Sequence, residues 1–207
     1  MEALRAQAHE HSNDLHTISG LIELGRHGDV LEVISDHSTS QRELADLFAR
    51  SSTDPLIVAS LLAKTALAAE RDIRLRTHLG DLPKLELRTS RDLVTIVGNL
   101  VDNALDQVGE GHLTHGEIEV AIWSDEEMIR IDVSDSGSGL TEQQIAEIFT
   151  PGYTTKDQRS HEGLGLTLVQ NVVERHGGTV SVDSEPGSGS LFSVELPVAP
   201  VEELVDA

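Results

Sequence analysis

The sequence predicts an α+β protein in two parts: an N-terminal helical hairpin, then an α/β sandwich. Helical spacing of apolar residues fills roughly the first fifty positions, and period-two alternation marks several later segments. Helical patterns interleave with those later segments, the arrangement of a sheet covered by helices. From Glu2 to about His27, Leu4, Ala8, Leu15, Ile18 and Ile22 trace one amphipathic helix. After the turn-like His27-Gly28-Asp29, a second runs from Val30 to about Arg50 through Leu31, Ile34, Leu44, Leu47 and Phe48. A two-helix hairpin cannot cover its own apolar stripe, so pairing with a second copy into a four-helix bundle is expected, which makes the chain a homodimer.

Ser51-Ser-Thr-Asp-Pro55 marks a boundary, with proline placed for the first turn of a new helix. The expected parts are therefore 1–53, 54–200 and a short acidic tail, 201–207. The second part reads as a helix (about 55–71), a strand (Ile73–Leu79), a helix (about Ser90–Val108) and strands Glu117–Trp123 and Met128–Ser134. Ile118, Val120 and Ile122, then Ile129, Ile131 and Val133, carry the alternation, with Asp125-Glu126-Glu127 as the hairpin turn. A short helix after Thr141, a loop, a helix (about Leu164–His176) and strands Thr179–Ser184 and Ser190–Leu196 complete it.

Composition narrows the function. Among 207 residues, 38% are hydrophobic and only 2% aromatic, so the core must be aliphatic. Thirty-six acidic residues against 15 basic ones give a net charge of −21, which argues against direct contact with nucleic acid or an anionic membrane surface. No cysteine is present, which excludes disulfides and thiol catalysis. No apolar run approaches the roughly 18 residues that span a bilayer, and no signal peptide is visible.

Three short segments carry the chemistry. Asn99 and Asn103 stand four apart on a predicted helix, so both amides project from one face. They suit a magnesium ion that keeps most of its waters, although an isolated pair more often just lies on a wet helix face. Asp135-Ser-Gly137-Ser-Gly139 follows a strand, where a carboxylate can accept from an exocyclic amine and glycines let backbone approach a ligand. Glu162-Gly163-Leu164-Gly165 opens a helix, presenting free N–H groups to phosphates. Each is a weak signal alone, and their fixed order is far more specific.

That conjunction resembles the ATP-binding fold shared by histidine kinases, gyrase-type topoisomerases, heat-shock-ninety chaperones and mismatch-repair ATPases, over roughly Asp54 to Pro197. The resemblance implies that Asn99 and Asn103 form the N box, with Asn103 the likelier magnesium ligand. It makes Asp135, Gly137 and Gly139 the adenine-binding G1 box, Phe149 and Pro151 the F box, and Gly163, Leu164 and Gly165 the G2 box. Gly187 and Gly189 look like the final glycine pair. Tyr153-Thr154-Thr155-Lys156 resembles the start of a flexible lid, with Lys156 and Arg159 both candidates to meet the terminal phosphates. The hydrolases of this superfamily carry a glutamate where this chain has Asn99, so a base for water is missing and ATP should await another nucleophile.

The hairpin offers one. His9-Glu10-His11-Ser12-Asn13 fits the HExxN pattern of histidine kinase dimerisation helices, and Leu15-His16-Thr17-Ile18-Ser19-Gly20-Leu21-Ile22 is similar to the citrate and C4-dicarboxylate sensor kinases. A neutral imidazole keeps a free ring nitrogen near pH 7 and can accept a phosphoryl group. His11 and His16 are not followed directly by an acidic residue, which favours His9. The resemblance implies autophosphorylation of His9 with Glu10 assisting, transfer to an aspartate on a response regulator receiver domain, and a phosphatase role for Asn13. It also implies ATP and Mg2+ as cofactors, and a cytoplasmic portion of a longer, membrane-anchored receptor. The alternatives are an ATP-hydrolysing clamp and a non-catalytic, nucleotide-sensing dimeric scaffold.

Overall fold

A computed structural model describes residues 54–110, 116–150, 152 and 164–198. The expected hairpin with His9, Glu10 and Asn13, the lid with Lys156, and Pro151, Gly163 and the acidic tail lie outside the described residues.

Helix α1 (Pro55–Glu70) starts as its sequence dictates, with Pro55 in the first turn and the Asp54 Oδ1 accepting from Leu56 N at 2.8 Å. Strand β1 (Ile73–Leu79) follows, then the 24-residue α2 (Leu87–Glu110), β2 (Gly116–Ser124) and β3 (Met128–Asp135). A capping box between Thr141 and Gln144 opens the short α3 (Glu142–Glu147). Helix α4 (Gly165–Arg175) and strands β4 (Thr179–Ser184) and β5 (Ser190–Pro197) finish the fold.

The strands lie in the order β1-β2-β3-β5-β4. β1 and β2 pair in parallel, which requires a crossover, and α2 supplies it. The remaining pairs are antiparallel. Helices cover one face: α1 lies on β1, α2 on β2 and β3, and α4 on β4 and β5. The other face is polar, as the alternating burial of β2 and β5 requires, and carries Arg76–Glu117 and His78–Glu119 pairs at 2.9 and 3.0 Å. Leu93, Ile96, Val97, Leu100 and Val101 of α2 are wholly buried against the sheet. Each such side chain contributes about 1.5–3 kcal/mol. Phe192 is the one aromatic residue in the buried core of the described residues, so the core is aliphatic as its composition requires.

The strand bounds match the alternation to within a residue. The β2–β3 turn is closed by Asp125, whose Oδ1 accepts from Glu127 N and Met128 N at 2.9 and 2.8 Å. Arg130 also bonds Asp125, and with those two N–H groups it brings the Asp125 carboxyl down to about 2. The clearest departure is at the start of α2, which begins at Leu87 rather than near Ser90. Ser90 lies inside the first turn, where its Oγ donates to Glu86 O at 3.2 Å and to Asp54 Oδ2 at 2.6 Å. The hydroxyl joins two helices instead of starting one.

Polar contacts fix the other two helices on α2. Lys64 of α1 and Arg71 just past its end reach Asp102 and Asp106 at 2.6 and 3.3 Å. At the far end of α4, Arg175 and His176 both meet Asp92, each at 2.8 Å. Asp92 is only 15% exposed, against 52% for Asp102, so water screens the first contact much less. Asp92→Ala should therefore lower the unfolding free energy by about 1.5–3 kcal/mol, and Asp102→Ala by about 1 kcal/mol or less. Urea denaturation of the two variants beside the parent measures the difference.

Candidate functional site

The site grows from α2. Residues 99, 103 and 107 follow one another at four-residue intervals, so Asn99, Asn103 and Gln107 form a ridge of amides about 12 Å long on the helix. Asn99 donates from Nδ2 to Thr95 O of its own helix at 2.7 Å, which fixes the orientation of its amide. Its Oδ1 then faces the first residue of α4, and a Cβ placed on Gly165 would lie 3.0 Å from it. Glycine at 165 thus lets the two helices close over this contact. Among the described residues no side chain caps the start of helix α4, where backbone N–H groups lack intrahelical acceptors. Thr167 donates a long, 3.4 Å hydrogen bond to Phe149 O, tying this helix start to the segment before the lid.

Asn103, in the middle of the ridge, is half-buried, and its amide has no partner among the described residues. Its oxygen is the hard, neutral donor that suits magnesium. At the far end, Gln107 is nearly buried, and its Oε1 accepts from Ser138 Oγ at 3.1 Å. A Cβ on Gly137 would meet the Gln107 backbone carbon at 2.9 Å, so the β3–α3 turn is pressed directly against α2.

Asp135 is the last residue of β3, paired with Ile118 on one side and Ser190 on the other. Its Oδ1 accepts from Gly137 N at 2.7 Å. Its Oδ2 is buried with no hydrogen-bond partner in the described residues. Such an atom costs free energy until something donates to it. Burial pushes the Asp135 carboxyl above the ordinary carboxylate range, and the Gly137 N–H together with the N–H and hydroxyl of neighbouring Ser190 offsets part of that rise. The arrangement suits a ligand that brings an amine to one end and phosphates to the other.

The β4–β5 hairpin clamps the turn from behind. Gly189 (φ +79) packs so closely that a Cβ there would come within 1.9 Å of Asp135 O, and Gly187 N donates to Ser138 O at 2.7 Å. Ser184 Oγ accepts from Leu140 N at 2.9 Å and donates to Gly189 O at 2.7 Å. The glycines near 137 and near 188, separate features in sequence, are two halves of one interlock.

Of the residues singled out in sequence, the fold sets Asn99 and Asn103 on α2, the Asp135–Gly137 turn against it, Gly139 against Glu185 O and Gly189 O of the β4–β5 hairpin, and Leu164 and Gly165 at the start of α4. Leu164 is 53% exposed, so its side chain adds nothing to the core. Gln107 was not among them. The NxxxNxxxQ spacing places it on the ridge, but only its contact with Ser138 gives it a role.

Residues 88–200 match the family model described as histidine kinase-, DNA gyrase B-, and HSP90-like ATPase. The chain belongs to this family. As a member of it, the protein carries an ATP-binding domain. It is 35% identical over 201 residues to the probable C4-dicarboxylate sensor kinase of Halalkalibacterium halodurans, covering 95% of this chain and 37% of that protein. It is 34% identical over 200 residues to the sensor protein CitS of Bacillus subtilis, covering 95% of this chain and 36% of that protein. The chain thus spans little more than a third of the curated relatives it matches. Among solved structures, the catalytic domain of histidine kinase ThkA is similar, with a TM-score of 0.58 and 28% identity over 69% of this chain and 90% of that one.

Asp135 sets a test of sign. A carboxyl whose folded pKa is raised contributes stability that is present below its unfolded value and lost as pH rises through the folded one. Burial of its charged form therefore costs the free protein stability on the alkaline side of that rise. Asp135→Asn should raise the thermal midpoint at pH 7, and that gain should shrink as pH falls towards about 4. The same variant should weaken ATP binding about tenfold or more, because an amide has one acceptor oxygen and Gly137 N already requires one. Scanning calorimetry across pH and titration with ATP measure the two effects.

Proposed function

We propose that this chain is the catalytic portion of a two-component sensor histidine kinase that phosphorylates itself on His9 from ATP. The observation that carries this reading is Asn99. Its neutral amide, held by Thr95 O and facing Gly165, occupies the place where the family's hydrolases keep a carboxylate. An amide does not take a proton from water, so the site favours holding ATP for a different acceptor. The sequence supplies that acceptor in His9, and the relatives named as sensor kinases match over 95% of the chain, beyond the ATPase domain itself.

In this reading Asp135 accepts from the adenine amine and the glycine pair at the start of α4 receives the phosphates. Asn103 would hold the Mg2+, which when bound neutralises phosphate charge. Lys156 or Arg159 would meet the terminal phosphates. A ring nitrogen of His9 attacks the γ-phosphorus, the bond to the β–γ bridging oxygen breaks, ADP leaves, and Glu10 takes or orients the imidazole proton. The phosphoryl group then passes to an aspartate of a response regulator receiver domain, and Asn13 serves the reverse, hydrolytic step. Residues 1–53 would form the dimerisation and phosphoacceptor part, with 54–200 as the catalytic domain. Among the described residues no helix is long and apolar enough to cross a membrane. By likeness to its relatives, the whole protein would be a membrane-anchored receptor with this portion in the cytoplasm.

Incubation with γ-labelled ATP and Mg2+ should yield a phosphoprotein that is labile in acid and stable in base, with the label mapping to His9. His9→Gln should abolish labelling while leaving ATP binding intact. Steady ATP hydrolysis with no labelled protein would instead indicate a hydrolytic clamp. Asn103→Asp should reduce labelling by about a hundredfold or more through misplacement of the metal and phosphates, without lowering the thermal midpoint. Autoradiography beside thermal melts separates these outcomes.

A further inference from the structure

The amide ridge of α2 ends in a residue that the kinase reading leaves unused. Gln107 is 7% exposed, an unusual place for an uncharged polar side chain unless a partner holds it. Its partner is Ser138 Oγ at 3.1 Å, the residue between the two glycines of the Asp135 turn. The helix touches the same turn a second time, through the close approach of Gly137 to the Gln107 backbone and Cβ. Gly137 N is also the donor that fixes Asp135 Oδ1, and so leaves Oδ2 as the free acceptor. One residue of α2 thus meets the turn that carries the acceptor twice, through its side-chain amide at Ser138 and through its backbone and Cβ at Gly137.

We propose that Gln107 is a positioning residue for nucleobase selection: through Ser138 and Gly137 it aims Asp135 Oδ2 at the 6-amino group of adenine. The inference rests on the ATP-site reading above. The ridge then works at both ends, Asn99 fitting the phosphate-side helix and Gln107 the base-side turn. A rigid helix between them keeps the separation of the two ends constant. The hydrogen bond carries the effect, so its two partners should act as a unit.

The test is a double-mutant cycle in the full 207-residue chain with Gln107→Met, which keeps volume but removes the acceptor, and Ser138→Ala. Affinities are measured for ATP and for purine riboside triphosphate, which lacks the 6-amino group. Each single variant should bind ATP roughly three- to tenfold more weakly and bind the amine-free nucleotide almost unchanged. The double variant should be no worse than either single one. Ser138 is exposed, so Ser138→Ala keeps the fold even where Gln107→Met lowers the thermal midpoint. The proposal is overturned by equal losses for both nucleotides, by additive losses, or by unchanged ATP affinity in Ser138→Ala. Failure of the parent chain to prefer ATP over the amine-free nucleotide instead removes the underlying assignment of Asp135.

Discussion

Helix α2 is the element on which everything else depends, because one helix must satisfy four neighbours at once. Its apolar face, with Leu93, Ile96, Val97 and Leu100 wholly buried, fixes it on the sheet. Asp102 and Asp106 hold α1, and Asp92 holds the far end of α4. The remaining ridge of Asn99, Asn103 and Gln107 faces the site. A helical period of 3.6 residues lets these stripes coexist without sharing positions, but it also ties them together. Turning α2 to improve one contact would misplace the other three, so the site inherits the rigidity of the core.

The site is also where the fold gives up stability. A buried carboxylate oxygen without a partner, a left-handed glycine pressed on a carbonyl, and an uncapped helix start each run against what would stabilise the empty protein. The first and third suit parts of a nucleotide, an amine and phosphates, whereas Gly189 serves the turn by fitting against the Asp135 carbonyl. Asn99 belongs to the same group for a different reason. Its amide nitrogen is satisfied within its own helix, and in the proposed kinase reading its neutrality spares ATP from attack by water.

Much of this was legible in the sequence. Strands β2, β3 and β5 could be read because one face is buried and the other solvated, so alternation in burial appears as alternation in residue type. The three site segments could be read because glycine and asparagine at fixed spacing have few other uses together. The role of Ser90 was not legible, since a serine before an apolar run marks a helix start unless something distant, here Asp54, engages its hydroxyl. Gln107 was hidden for the same reason: Ser138, which gives it meaning, is 31 residues away. The interlock of Gly189 with Asp135 was equally hidden, because sequence lists glycines without saying which backbone each one meets.

That interlock bears on how the protein comes into being. Asp135 is held between Ile118 on β2 and Ser190 on β5, the last strand of the sheet. Synthesis runs from the N-terminus, so the chain emerges with its base acceptor long before the hairpin that seats it. Nucleotide therefore cannot template the early stages of folding, and any nascent chain stopped short of β5 lacks a finished site. A seated Asp135 turn thereby reports that the whole domain has closed.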